Sequence, residues 1–163
     1  MTDKAYFTEQ IRTHEGSIYG LAYSILKNEH DAADAMQDAI LKAYISLHTL
    51  KDKSKFKSWM LTIVHNTAIE HLRRSRPTVD IDEQYDLAIP SPTVDHETKQ
   101  TVREAVQQLK LPYREIIQLY YYENYSTGQI AAMLKAPPST IRQQLFRARK
   151  MLAQLLNKED FDR

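Results

Sequence analysis

Apolar residues recur at intervals of three and four along most of this chain, which is the period of an amphipathic helix rather than of a strand. In the N-terminal half, one helical stripe consists of Ile18, Leu21, Ala22, Ile25 and Leu26. A second helix is predicted from about Asp31, a favourable N-cap, to about residue 47, and its inward positions are Met36, Ile40, Ala43 and Leu47. A third helix is predicted from Ser58 to about Arg74, and its apolar stripe consists of Trp59, Ile63, Ala68 and Leu72. Trp59 is interpreted as a core residue. Because no segment alternates convincingly between polar and apolar residues, the predicted fold class is all-α.

The C-terminal half predicts two further helices and then a helix-turn-helix. The two helices span Thr98–Leu109 and Pro112–Glu123. Four tyrosines are interpreted as mostly core, because consecutive helical residues point in different directions: Tyr120, Tyr121, Tyr122 and Tyr125. Ser126 and Gln129 have the spacing of a capping box. Prolines 137 and 138 break the pattern, and Ser139 begins a last helix whose inward stripe is Ile141, Leu145, Ala148 and Leu152.

The outward face of this last helix is basic and carries no acidic residue before Glu159. An apolar back with arginine, glutamine and threonine in front suits the DNA major groove, where such side chains reach base edges. The alternative is an ordinary solvated face. Phe146 either contacts a thymine methyl group or closes the core. The candidate DNA-contacting residues are Ser139, Thr140, Arg142, Gln143, Phe146, Arg147 and Lys150.

Charge is distributed unevenly, although the formal net charge is only +1. Residues 51–76 carry seven basic and two acidic side chains, residues 77–98 carry six acidic and no basic ones, and residues 99–163 carry eleven basic and six acidic ones. The acidic segment also contains three prolines and few apolar residues, which favours an extended linker. The predicted organisation is therefore an N-terminal helical domain (1–76), a flexible acidic linker (77–97) and a C-terminal helix-turn-helix domain (98–163). Two basic surfaces on one chain indicate a long anionic ligand.

Several function classes are not supported by the sequence. The chain has no cysteine, no apolar run of membrane-spanning length and no N-terminal leader, so we expect a cytoplasmic protein without disulfides. The histidines lack metal-ligand spacing, and His96-Glu97 is not followed by a suitably placed histidine. No nucleophile elbow, phosphate loop or paired-carboxylate arrangement is present. We therefore expect no enzymatic centre, no metal and no cofactor.

Two candidate surfaces lie in the N-terminal half. The second predicted helix places an acid-and-amide set on one face, away from its inward stripe: Asp34, Gln37, Asp38 and Leu41. By spacing alone, this face is more simply the polar side of an amphipathic helix. The loop from Lys51 to Lys57 combines cations, a hydroxyl and an aromatic ring, a mixture that suits single-stranded DNA. As a charge run alone, it would more often be a solvated loop.

Two sets of residues, one in each half of the chain, carry a resemblance to a known family. The N-terminal set is Asp31-Ala32-Ala33-Asp34-Ala35-Met36-Gln37-Asp38, Phe56-Lys57-Ser58-Trp59-Met60, Ile63, Asn66, Ala68, Ile69, Leu72, Arg73 and Arg74. The C-terminal set is Leu109, Tyr113-Arg114-Glu115, Ser126, Ile130-Ala131, Thr140-Ile141 and Arg147-Ala148-Arg149. With these two sets in the expected order over nearly the whole chain, both halves together resemble the extracytoplasmic-function (ECF) sigma factors, the small two-domain promoter-specificity subunits of bacterial RNA polymerase.

The resemblance implies a function in promoter recognition and transcription initiation. Asp34, Gln37, Asp38 and Leu41 would bind core RNA polymerase. The C-terminal domain would read the −35 element as duplex DNA, and an anti-sigma protein, often membrane-bound in this family, would regulate the chain. The residues that would hold the melted −10 strand are Lys53, Ser54, Lys55, Phe56, Asn66, Arg73 and Arg74.

Two other classes of protein are compatible with parts of the pattern. A stand-alone transcriptional regulator would bind a palindromic duplex tightly without polymerase. A protein-binding adaptor, such as an antagonist that mimics a sigma domain, would function without Arg142 or Arg147. Run-off transcription with core polymerase distinguishes both from a sigma factor.

Overall fold

A computed structural model of the chain describes residues 1–75 and 98–161, with side chains described for 1–75 and 102–157. The chain divides into two compact units, Met1–Pro77 and Thr78–Arg163. Every regular element in the described part of the chain is helical, which confirms the all-α prediction. The predicted acidic linker, 77–97, lies outside the described residues.

Three helices form the N-terminal unit: α1 (Asp3–Leu26), α2 (Glu29–Ile45) and α3 (Phe56–Ser75). Each helix packs against the other two. Short 3₁₀ turns at Leu47–Thr49 and Lys53–Lys55 connect α2 to α3. The predicted stripe of α1 is buried throughout, so the helical period alone identified its core face correctly.

Capping residues explain the boundary between α1 and α2. Lys27 adopts a left-handed conformation (φ 54°) and ends α1, because a helix cannot continue through that geometry. Asn28 follows at once, and its side chain accepts a hydrogen bond from the Asp31 amide at 2.9 Å. The prediction of Asp31 as the N-cap is therefore wrong, since α2 begins one residue after Asn28.

Alanines form the buried side of α2. Four of them have no exposed surface: Ala32, Ala35, Ala39 and Ala43. Met36 and Ile40, predicted as inward, are only half-buried, and Leu47 lies beyond the end of α2. The small side chains let α2 pack closely against α1 and α3, so this contact does not need larger apolar residues.

Phe56 occupies the centre of an aromatic cluster in the N-terminal core. Its side chain is 1% exposed. Its ring centre lies 6.0 Å from those of Tyr6, Phe7 and His14, and 5.6 Å from that of Trp59. Phe56 is thus enclosed by rings from α1 and α3, and the prediction that it contacts a DNA base is contradicted by its burial.

Trp59 lies at the edge of this cluster. It is half-buried, and its indole Nε1 donates a hydrogen bond to Thr49 Oγ1 at 3.3 Å. The interpretation of Trp59 as a core residue is therefore only partly correct, because the indole nitrogen needs a polar partner that full burial in an apolar core would not supply.

The described part of the C-terminal unit contains four helices: α4 (Thr98–Gln108), α5 (Leu111–Ile117), α6 (Thr127–Leu134) and α7 (Pro138–Phe161). A π-helical turn, Gln118–Tyr122, extends α5. Both α5 and α6 pack against α7. The inward stripe of α7 is confirmed at Ile141, Leu145 and Ala148, which are buried, whereas Leu152 is half-buried.

The turn between α6 and α7 is defined by capping and by prolines. Ser126 and Gln129 form the predicted capping box in full. Lys135 ends α6 in a left-handed conformation (φ 54°). The Pro137 carbonyl accepts hydrogen bonds from two amides in the first turn of α7, and Pro138, which has no N–H to satisfy, is its first residue. The helix therefore begins one residue before the predicted Ser139.

The tyrosines near the π-helical turn do not fill the core as expected. Tyr121 is 49% exposed and Tyr122 is 41% exposed. Tyr120 and Tyr125 are half-buried. Leu119 is the fully buried residue of this turn, which places Leu119 on the core side and Tyr121 and Tyr122 on the surface.

Candidate functional site

The acid-and-amide face of α2 is exposed. Asp34, Gln37 and Leu41 lie opposite the buried alanines, and Leu41 is 58% exposed. Tyr44 and Ile45 continue the same face toward the end of α2, and both are exposed. Neither residue belongs to the set predicted from sequence, although their spacing of three and four from Leu41 is a signal that identifies them. This docking face of α2 therefore combines polar residues at one end with an apolar patch at the other.

Asp38 differs from the other residues of this set, because it contacts α3. Its Oδ2 lies 2.9 Å from His71 Nε2, 3.7 Å from Lys42 Nζ and 3.8 Å from Arg74 Nη2. The hydrogen bond to His71, and then the nearby cations, hold the pKa of the Asp38 carboxyl below its ordinary value, against the opposing effect of burial. Asp38 thus joins α2 to α3 and is only partly available to a partner.

Hydrogen bonds order the lysine-rich loop. The Asp52 carboxylate accepts from the Ser54 amide at 3.0 Å and from the Ser54 hydroxyl at 2.7 Å. These bonds to Ser54 lower the pKa of Asp52. Because its proton is directed at Asp52, the Ser54 hydroxyl offers its oxygen as an acceptor rather than a free donor.

Lys53 is held against α1. Its ammonium group lies 4.8 Å from the Tyr6 ring centre, and its carbonyl accepts a weak hydrogen bond from the Tyr6 hydroxyl at 3.4 Å. Lys53 and Lys55 are both exposed. The loop therefore presents two cations from a backbone that is anchored at Tyr6 and Asp52.

The outer face of α3 combines an amide, a carboxylate and two cations. Asn66 and Arg73 are seven residues apart and share one exposed face. Together with Ile69 they line a shallow groove. Arg74 also lines this groove, but its guanidinium lies 3.8 Å from both Glu70 and Asp38. Arg74 is therefore engaged by carboxylates, whereas Asn66 and Arg73 are exposed at the groove.

The outward face of α7 is basic, as the sequence indicates. Arg142, Gln143, Arg147 and Lys150 are exposed, as is Ser139, while Thr140 is half-buried. Phe146 is 63% exposed, so it does not close the core. The Lys150 ammonium lies 5.8 Å from the Phe146 ring centre. The reading face of α7 is thus a solvent-facing set of cations around one exposed aromatic ring.

Comparison with known families identifies both units. The model for sigma-70 region 2 matches residues 10–78, and the model for sigma-70 region 4 matches residues 99–152. RNA polymerase sigma factor SigV of Bacillus subtilis is 32% identical over 98% of this chain and 96% of its own length. ECF RNA polymerase sigma factor SigM of Mycobacterium tuberculosis is 30% identical over 94% of this chain and 79% of its own length. The chain belongs to the ECF sigma factors.

Solved structures agree in fold. The sigma factor RpoE of Bartonella quintana, in complex with the anti-sigma factor NepR, superposes with a TM-score of 0.73 at 23% identity, covering 93% of this chain and 96% of that one. CnrH, in complex with the cytosolic domain of CnrY, superposes with a TM-score of 0.68 at 20% identity, covering 96% of this chain and 91% of that one. Both likenesses concern the fold alone.

This sigma factor directs RNA polymerase to specific promoters and promotes transcription initiation. Its family consists of initiation factors rather than enzymes. Within the described residues, no group of three acidic, histidine or cysteine side chains is arranged to hold a metal ion. In the same residues, no helix is both long enough and apolar enough to cross a bilayer.

Proposed function

We propose that this sigma factor uses three separate surfaces in initiation. The docking face of α2 binds core polymerase, the anchored loop and α3 hold the melted non-template strand of the −10 element, and the reading face of α7 recognises the −35 element as duplex. The observation that carries the proposal is the reading face: it is free of acids, exposed, and backed by a buried stripe.

The proposed −10 site uses fewer residues than the sequence suggests. Phe56 is excluded by its burial, and Arg74 is engaged by carboxylates. The remaining candidates are Lys53, Ser54, Lys55, Asn66 and Arg73. Lysines bind phosphates, while Asn66 and the Ser54 oxygen provide hydrogen bonds to an unstacked base, which offsets the cost of unpairing it.

Regulation and location are part of the same proposal. One structural relative is a complex of a sigma factor with an anti-sigma factor, and the other is CnrH in complex with the cytosolic domain of CnrY. We therefore expect a separate anti-sigma factor to bind this chain and cover part of its surface. A membrane-anchored anti-sigma factor would hold the chain at the membrane. The sigma factor itself would act in the cytoplasm with its polymerase.

The proposal is tested by run-off transcription with core polymerase and the full chain on promoters selected from a randomised library. Promoter-specific transcripts that require the chain are the expected result. Tight binding to a palindromic duplex without any transcription would instead identify a stand-alone regulator.

Arg142→Ala is expected to relax specificity at one base position of the −35 element, at a cost of about 1–3 kcal/mol for the preferred base. The reason is that an exposed arginine in the first turns of α7 can form a bidentate contact with a base edge. Binding is measured for a set of single-base substitutions. An equal loss on every sequence would move Arg142 from base recognition to phosphate contact.

Asn66→Ala is expected to slow promoter opening about fivefold, because one hydrogen bond to the captured base is lost. Closed-complex formation through α7 should be unaffected. Permanganate footprinting of unpaired thymines measures the opening rate. On a template with a pre-melted bubble, activity should recover only in part, since the bubble removes the melting cost but does not restore the contact. Opening at the wild-type rate would place the capture site elsewhere.

A further inference from the structure

Arg149 lies at the edge of the reading face of α7. It is on the side of the helix that Arg142 occupies, since seven residues make nearly two turns. Its Nε donates a hydrogen bond to the Tyr121 hydroxyl at 2.7 Å. Its guanidinium carbon lies 5.3 Å from the Tyr120 ring centre and 5.6 Å from that of Tyr121. An exposed cation is thus held by two aromatic rings from another element.

Both tyrosines belong to the π-helical turn that follows α5. Such turns are rare and often occur at functional sites. Here the turn brings Tyr120 and Tyr121 edge to face, with ring centres 5.0 Å apart and an angle of 76° between the planes. The guanidinium therefore has a defined position before any ligand arrives, which reduces the entropy lost on binding.

The hydrogen-bond directions leave donors available at this point. The Tyr121 oxygen accepts from Arg149, so its own O–H proton can be donated to a further group. A guanidinium has five N–H donors, of which the bond to the Tyr121 hydroxyl uses one and the contact with the Tyr120 hydroxyl a second. The Tyr121 ring is half-exposed, and Arg149 is exposed. The hydroxyl and guanidinium donors therefore lie next to each other at the surface, where an anion could accept hydrogen bonds from both.

We propose that Arg149 and the Tyr121 hydroxyl form a binding site for a backbone phosphate of duplex DNA alongside the reading face. This inference rests on the proposed recognition of duplex DNA by α7. A helix that lies in the major groove has the two sugar-phosphate backbones along its flanks, and phosphate oxygens accept from arginine and tyrosine. The site fixes the position of α7 on the duplex without reading its sequence.

The decisive variant is Tyr121→Phe, which removes the hydroxyl and keeps the ring that contacts Arg149. Binding of the full chain to a fluorescein-labelled duplex, carrying an upstream element selected by the wild-type holoenzyme, is measured by anisotropy. We expect about fivefold weaker binding, equal on the selected duplex and on its single-base variants. Tyr122→Phe, which removes the neighbouring exposed hydroxyl, is the matched control and should bind as the wild type does.

Arg149→Gln tests the charge of the site. We expect about tenfold weaker binding and a plot of log affinity against log salt that is shallower by about 0.9, the value for one phosphate. Arg103→Gln removes one exposed charge from α4 and is the control for net charge. Circular dichroism and thermal melting monitor the fold of each variant.

Two results would overturn the phosphate site. One is unchanged duplex binding by Tyr121→Phe. The other is a loss of duplex affinity that differs between base variants, together with a salt dependence of Arg149→Gln that equals that of Arg103→Gln. This second result would make Arg149 only a support for α7. Failure of the wild-type chain in run-off transcription would refute the proposed function instead, so the two failures are distinguishable.

Discussion

Phe56→Ala is expected to lower the free energy of unfolding of the N-terminal unit by about 3–5 kcal/mol, the range for truncating a buried phenylalanine. Phe56 touches rings from both α1 and α3, so its truncation leaves a cavity between the two helices. Because Trp59 is the one tryptophan of the chain, its fluorescence during urea denaturation reports this unit separately.

Leu41→Ala is a suitable control, since Leu41 is a large apolar residue that is exposed. Its effect on stability should stay within about 0.5 kcal/mol. If Phe56→Ala were equally mild, and instead weakened binding to a single-stranded −10 oligonucleotide, Phe56 would have to leave the core to meet a base. The DNA-bound protein would then hold Phe56 outside the core.

Asp34→Lys combined with Gln37→Ala is expected to weaken binding to core polymerase tenfold or more, equivalent to about 1.4 kcal/mol, and to reduce promoter-specific transcription in proportion. Both side chains are exposed on the docking face of α2, opposite the buried alanines, so helix α2 itself should remain intact. Competition against wild-type chain for limiting core polymerase measures the affinity.

Glu9→Lys introduces the same charge reversal at an exposed position of α1 and should leave core binding unchanged. Equal affinity of the double variant and the wild type would remove α2 from the polymerase interface. A loss of helical circular dichroism in the double variant would show that this face supports the fold instead.

The largest features of this protein were predictable from sequence because they depend on residues that are close in the chain. The stripe of α1, the capping box at Ser126 and the basic face of α7 each follow from helical period and local hydrogen bonding. Two ordered sets of such local features were enough to indicate an ECF sigma factor.

Which stripe of a helix is buried was less predictable. In α2, the alanines and the larger apolar residues Met36 and Ile40 form competing stripes, and only the close approach of neighbouring helices selects the alanines. Phe56 and Trp59 also lie near each other in sequence, yet only the position of α1 decides that the phenylalanine is enclosed.

Tertiary structure alone decided which side chains are free to contact a partner and which are engaged within the protein. His71 binds Asp38 across 33 positions of sequence, and Tyr121 binds Arg149 across 28. No local pattern encodes such pairs, because they arise when packing brings distant helices together. The sequence by itself determined the helical period, the capping box at Ser126 and the basic face of α7. The tertiary structure decided that Asp38 is partly engaged, that Phe56 is buried and that Arg149 is held by Tyr121, because each depends on packing between elements that are distant in sequence.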